Sequence, residues 1–301
     1  MRFWLLVLAG LMVAYPTGSS SLHAQSSDSS DDIASEPGPC PPPWETDDQS
    51  SIVSISEVKF TGALQSPPAE QEEIVASITG RRYSGTVDEV KEEAQERLKQ
   101  EWQNRGYLNV GVTVDARVLT SSWVEQRIAL DVNVDEGSQY RLKRITFKNN
   151  RAIANLAVLR KLFPIRDGDI FSRQAIVSGL DDLRRAYGSF GYINFTSVPD
   201  TRIDEDSKLI QLDVDLDEGK VFTVSSVDFL GVEEDVRQAM LDAFPLKPGQ
   251  IFNQGRLERF LLDQSDVLKI HPYNNKSVHR RVDERAGTVV LVFDARTCSR
   301  R

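Results

Sequence analysis

The segment Val134–Phe147, VDEGSQYRLKRITF, decides the fold because it occurs twice: Leu216–Phe229 reads LDEGKVFTVSSVDF. Asp135-Glu136-Gly137 and Asp217-Glu218-Gly219 stand 82 residues apart (217 − 135). Self-similarity at a fixed period marks a repeat architecture. Each copy has the same grammar. An alternating strand ends in an acidic pair, and glycine turns the chain because it accepts φ > 0 without a Cβ clash. A second strand follows at once, through Tyr140, Leu142, Ile145 and Phe147 in one copy and Phe222, Val224, Val227 and Phe229 in the other. The glycine therefore marks a domain junction so short that neighbouring units nearly abut, as in a semi-rigid string.

Read outward from these junctions, the chain divides into a tether and three units. The first unit spans 52–137. Ile52, Ile55, Val58 and Phe60 begin a strand, and Ser66-Pro67-Pro68 reads as an N-cap with proline in the first turn. Thr86-Val-Asp-Glu89 is a capping box opening a helix that buries Val90, Ala94, Leu98 and Trp102. Two alternating strands follow, near Leu108–Leu119 and Trp123–Val134. The second unit, 138–219, and the third, 220–296, repeat the order strand, helix, helix, strand, strand. Both carry the loop Gly168-Asp-Ile-Phe171 or Gly249-Gln-Ile-Phe252, which the first unit lacks. Units of this size are within the range of independent domains. The expected fold is α+β: three tandem βααββ units, each a sheet with two helices on one face, ahead of a tail at 297–301.

The N-terminus reads as an export signal, residues 1–24. Arg2 precedes the apolar run Phe3–Tyr15, which is shorter than the roughly 18 residues of a spanning helix. Pro16, Gly18 and the small residues before Gln25 complete the pattern. Residues 25–51 are rich in Ser, Asp and Pro and are expected to be a disordered linker. Net charge is −9, but the first 51 residues hold Arg2 against seven acids. The remaining 35 basic and 38 acidic residues nearly balance, with no basic stripe for nucleic acid. Cys40 and Cys298 are the only cysteines, and a pair in an exported chain points to a disulfide. Within one chain, between two chains, and free thiols are all open readings.

The pattern resembles the POTRA (polypeptide-transport-associated) domain, the repeated module on periplasmic arms of outer-membrane barrel-assembly and two-partner secretion proteins. The resemblance rests on Ile145-Thr-Phe147 and Val227-Asp-Phe229, on Gly168-Asp-Ile-Phe171 and Gly249-Gln-Ile-Phe252, on Gly191-Tyr192, and on the closing Asp-Glu-Gly. It implies a non-enzymatic arm, periplasmic and associated with the outer membrane through a partner. That partner is a separate outer-membrane β-barrel protein or unfolded outer-membrane polypeptides, bound by β-augmentation. No barrel follows the third unit, so a stand-alone arm is expected; a truncated barrel-assembly homologue and an envelope protein with a ligand site between units are the alternatives.

The resemblance also implies that the second strand of each unit is an exposed edge, near Tyr107–Val118, Tyr192–Thr201 and Ile270–Val282. Asn194, Phe195, Thr196, Ser197 and Val198 are the candidate peptide-binding edge, ended by Pro199, with Thr196→Pro as the blocking change. No catalytic, metal or cofactor set is expected. The Asp-Glu pairs read as solvated strand ends, and His271 and His279 lack a third ligand. There is no phosphate loop, nucleophile elbow or cofactor fingerprint, and no small-molecule substrate is implied.

Overall fold

The computed structural model describes residues 52–264 and 278–296. The export signal, the linker, Cys40, Cys298 and His271 lie outside the described residues.

The first unit runs β1 (Ile52–Ala63), α1 (Pro68–Ile78), β2 (Arg82–Ser84), α2 (Val87–Asn104), β3 (Gly111–Ser121) and β4 (Glu125–Asp135). The second runs β5 (Arg141–Lys148), α3 (Leu156–Lys161), α4 (Arg173–Gly188), β6 (Thr196–Asp204) and β7 (Leu209–Asp217). The third runs β8 (Thr223–Leu230), α5 (Glu234–Ala243), α6 (Gln254–Asp263), β9 (Val278–Asp283) and β10 (Thr288–Asp294). The sheets are ordered β2-β1-β4-β3, β5-β7-β6 and β8-β10-β9. In each, the first and last strands pair in parallel and the penultimate strand pairs antiparallel to the last. Of the described residues, those from 52 to 220 form one compact body and those from 221 onward a second.

The expected βααββ order holds, with one addition. The first unit has an extra strand, β2, antiparallel to β1 through Ile52↔Ser84 and Val53↔Tyr83. It does the work of the Gly-x-Ile-Phe loop. In the second unit, Leu142 N–H donates to Asp169 O at 2.9 Å and Gly168 N–H to Leu142 O at 2.7 Å. In the third, Val224 and Gly249 make the same pair of bonds with Gln250 O and Val224 O, at 2.8 and 2.7 Å. All three units therefore close one side of the first strand with the segment before the long helix.

The spacing of apolar residues along the first strands has a structural cause. Val53, Ile55, Val58 and Phe60 follow intervals of two, three and two, as do Tyr140, Leu142, Ile145 and Phe147. One residue in each of β1, β5 and β8 stands outside the ladder register: Ser56, Lys143 and Ser225. A one-residue bulge advances the alternation by one and keeps the later side chains on the core face.

Cores form as the periodicity predicts. Val90, Ala94, Leu98 and Trp102 of α2 are buried against Ile128, Leu130, Val132 and Val134. In the second unit Tyr187 stacks on Phe195, centroids 4.2 Å apart. In the third, Phe229, Phe244, Phe260 and Phe293 form an aromatic cluster, Phe229 stacked on Phe293 at 4.6 Å. The capping box at Thr86 and Glu89 is present. Ser66, however, does not cap α1, whose N-cap is Pro67 with Pro68 inside the first turn.

Ser66 instead turns to Glu136, and here the solvated reading of Asp-Glu-Gly is overturned for the glutamate, while Asp135 and Asp217 are exposed. Glu136 is fully buried. Its carboxylate accepts from Trp102 Nε1 at 2.7 Å, from the Ser66 hydroxyl, and from the backbone N–H of Gln65 and Ser66 at 2.5 and 2.9 Å. Burial pushes this carboxyl up, but those four hydrogen bonds outweigh it and hold it below its ordinary value. Glu218 repeats the device: it accepts from Tyr187 Oη at 3.0 Å and from Ala152 N–H at 2.9 Å. Trp102 and Tyr187 each stand four residues before the glycine that closes the long helix, Gly106 or Gly191. Burial, and then Glu218, push the Tyr187 hydroxyl up. Counting from Phe293↔Phe229, the third unit's matching position is Thr297, which lies outside the described residues.

The first two units are joined by hydrogen bonds to backbone groups. Tyr140 N–H donates to Gly106 O at 2.8 Å, Gln139 Nε2 to Arg105 O at 2.9 Å, and Gln174 N–H to Asn104 Oδ1 at 2.8 Å. Gly106 sits at φ +88°, and a Cβ there would lie 2.8 Å from Tyr140 O and from Ile170 Cγ2. Leu108 of the first unit packs against the core of the second. Tyr140 is buried and its hydroxyl donates to Glu205; burial, then that carboxylate, push it up to about 12.

Glu136→Ala leaves the Trp102 indole N–H and the Ser66 hydroxyl buried without an acceptor, and should cost about 2–4 kcal/mol in urea unfolding. Because the folded-state carboxyl lies below its ordinary value of 4.5, its stabilisation is complete above that value and is lost as pH falls through the folded value. Wild type should therefore lose more stability than Glu136→Gln between about pH 5 and pH 3. Gly106→Ala should lower stability by at least about 1 kcal/mol and speed amide exchange at Tyr140 and Gln174.

Candidate functional site

Each sheet has one edge closed by its own chain and one that is not. On the first-strand side, β2 or the Gly-x-Ile-Phe segment covers the start of the strand. On the other side the last strand in order is β3, β6 or β9, and no further strand lies beyond it among the described residues. An antiparallel edge strand turns the N–H and C=O groups of alternate residues outward. These three strands are the penultimate strands of their units, the second in the βααββ order.

Their outward groups differ. On β3 the Val114 N–H leaves the ladder and donates to Gln95 Oε1 of α2 at 3.2 Å. The side chain of the long helix thus occupies one edge position of the first unit. By alternation Val112, Ala116 and Val118 share the outward parity of Val114.

On β6 the decisive residue is Pro199, paired with Val214 in an unbroken ladder from Thr196↔Asp217 to Asp204↔Leu209. Proline has no N–H, so it fits this ladder only where its nitrogen faces away from β7. Ser197, Thr201 and Ile203 share that parity and face outward, while Thr196, Val198, Asp200 and Arg202 pair with β7. The strand does not end at Pro199 but continues to Asp204, because a proline of outward parity removes no ladder bond.

The five residues singled out on this edge therefore separate. Asn194 and Phe195 precede β6, and Phe195 is in the core with only 4% of its surface exposed. Thr196, Ser197 and Val198 open the strand. The Val198 side chain is exposed on the sheet face away from the helices, in an open concavity with Asn149, Arg151, Asp215, Asp217 and Glu218. The same face carries Asp213, which accepts from the Thr146 hydroxyl and from Gln211 Nε2 at 2.9 Å and meets Arg202 Nη2 at 2.6 Å. The Thr146 and Gln211 hydrogen bonds, with Arg202 beside them, hold the Asp213 carboxyl below its ordinary value. This network links β5, β7 and β6 side by side and stiffens the edge from behind.

On β9 only Val278–Asp283 is described, so the expected edge from Ile270 is visible from Val278. His279 lies on this strand. Among the described residues no group of three His, Cys, Asp or Glu side chains could hold a metal ion, and no helix is long and apolar enough to cross a membrane. Trp123, expected inside a strand, instead stands at the tip of the β3–β4 hairpin, 95% exposed.

The sequence model described as "POTRA: Surface antigen variable number repeat" matches residues 53–137 and 140–219, more than half the chain. The outer membrane protein assembly factor BamA of Neisseria meningitidis serogroup B is 23% identical over 175 residues, which are 54% of this chain and 21% of that protein. The protein of the same name from Buchnera aphidicola is 20% identical over 192 residues, 61% of this chain and 31% of its own length. The chain thus spans between a fifth and a third of these relatives. The crystal structure of Haemophilus influenzae BamA POTRA3-5 superposes with a TM-score of 0.62 at 17% identity, covering 83% of this chain and 98% of that one. At that identity the likeness is one of fold.

The Gln95 contact yields a direct check. Gln95→Leu removes the acceptor of the Val114 N–H without touching the β3–β4 ladder. Amide exchange at Val114 should accelerate about fivefold or more, while exchange at Thr113 and Asp115 stays unchanged.

Proposed function

The chain belongs to the POTRA family, and on that premise we propose that it is a non-enzymatic periplasmic arm in outer-membrane protein assembly or secretion. It receives extended segments of unfolded outer-membrane polypeptides, or of a separate outer-membrane barrel protein, as an added strand on the free edge of its sheets. The observation that carries this reading is the repeated edge: in three units the penultimate strand is outermost, whereas the first strand is covered by the unit's own chain. Main-chain pairing makes little demand on the guest's sequence, which suits a protein that handles many polypeptides. The assembly factors it resembles are named for that process.

Within this reading β6 is the candidate of the second unit. Ser197, Thr201 and Ile203 offer outward donors and acceptors, and Pro199 offers only its carbonyl. A guest strand must therefore leave one acceptor unused opposite Pro199, which sets its register. Val198 and the concavity beside it receive the guest's side chains on the outer face. On β3, Gln95 must release Val114 before a guest can pair along the full strand.

The test uses proline at an outward position. Thr196 has ladder parity, so Thr196→Pro would break β6 itself; Ser197→Pro removes an outward N–H and leaves the pairing to β7 in place. With a urea-denatured outer-membrane barrel polypeptide as probe, Ser197→Pro and Thr201→Pro should each weaken binding at least about fivefold with little change in melting temperature. Unchanged binding in a folded double variant would remove β6 from the reading.

A further inference from the structure

The three units share one hairpin between their last two strands, and in two of them its tip is polar: Glu205-Asp206-Ser207-Lys208 and Glu284-Arg285-Ala286-Gly287. The fold therefore does not require an apolar tip. In the first unit the tip is Ser122-Trp123-Val124, with Trp123 95% exposed and Val124 about half exposed. The turn is fastened rather than loose. Ser122 N–H and Oγ donate to Glu125 O at 3.0 and 2.9 Å, and Glu125 N–H donates back to Ser122 Oγ at 3.0 Å. A register shift between Val118 and Thr120 sets Leu119 outside the ladder, and both Val118 and Leu119 are exposed. Val118 and Leu119 lie further back along β3, and the exposed apolar pair in the turn itself is Trp123 and Val124.

Three guanidinium groups stand behind this tip. Arg127 pairs in register with Thr120 and with Ser54, and Ser54 pairs with Arg82, so Arg82 and Arg127 share a sheet face. Arg117, opposite Ala129, lies on that face too, alongside Glu57 and Glu125. β1 enters at this end as well, with Ile52 opposite Glu125. At 95% exposure the Trp123 ring is not walled by neighbouring side chains and projects from the hairpin turn.

We infer that the β3–β4 tip is a membrane-interface contact: Trp123, with Val124 beside it, seats at the headgroup level of a phospholipid bilayer. A protein groove grips a side chain by walling it, and that calls for a concave partner cut to one ring. A fluid interface takes a projecting ring as it is. Indole combines a large apolar body with one N–H donor, which is why tryptophan collects at membrane interfaces. Arginines set back from the tip reach lipid phosphates while their stems cover apolar surface. Trp123 and Val124 lie in the turn outside β3 and β4, so the contact does not require strand addition and would hold the first unit against the bilayer.

The experiment is vesicle flotation of the chain from Gln25 onward, which omits the N-terminal apolar run because that run would itself partition into lipid. Vesicles of phosphatidylethanolamine and phosphatidylglycerol are the probe. Wild type should float with them, Trp123→Glu should partition at least about tenfold less, and Trp123→Tyr should keep most of the binding. Arg127→Glu should weaken binding at low salt, and its difference from wild type should shrink as salt rises. Because Trp123 is exposed, the melting temperatures should be unchanged. Failure of wild type to float, or equal flotation of Trp123→Glu, overturns the inference. So does a photo-crosslinker at position 123 that labels a protein in intact envelopes while vesicles bind nothing.

Discussion

A glutamate at the end of the last strand, fully buried in the first unit and partly buried in the second, ties each of the first two units together. Glu136 gathers donors from the long helix, through Trp102, and from the loop after the first strand, through Gln65 and Ser66. Glu218 does the same through Tyr187 and Ala152. Three segments far apart in sequence thus meet on one side chain. The contact matters because first and last strands run parallel and cannot be joined by a tight hairpin. Helices must cross between them, and the carboxylate fastens the crossover where it leaves the sheet.

That fastening also fixes the next unit. Glycine follows the carboxylate at once, and within four residues Tyr140 has donated its N–H to Gly106 of the preceding unit. The end of one helix, the start of the next strand and the loop bearing Ile170 crowd so closely that only glycine fits at 106. The linkage of the first two units is therefore a packed joint of one backbone bond and two side-chain-to-backbone bonds. An arm that presents sheet edges to a long guest gains from such a joint, because the spacing between neighbouring edges stays set.

The edges carry their own protection. Gln95 covers a donor of β3, and Pro199 deletes one from β6. An uncovered strand edge pairs with any other edge, including a second copy of the same chain. Partial blocking lowers that hazard while the other outward groups stay on the edge. The apolar tip at Trp123 is set at the end of the first of these edges, where its exposure does not disturb the ladder.

The repeat, the order of elements and the core were legible in the chain because periodicity is local: 3.6 in the long helices, two in the last strands, and an interval of three where each first strand bulges. The Thr86 capping box was equally legible, since all its atoms lie within one turn. The fate of Glu136 was not. Asp-Glu-Gly at a strand end looks solvated until the fold brings Trp102 and Ser66 to it from 34 and 70 residues away. Phe195 reads as an edge residue until Tyr187 stacks on it, and Trp123 reads as a strand residue until the hairpin closes two positions later. The sequence by itself determined what each segment is, because propensity and patterning act over a few residues. Only the tertiary structure decided which polar groups are buried and which edges stay open, because those depend on what the rest of the chain brings alongside.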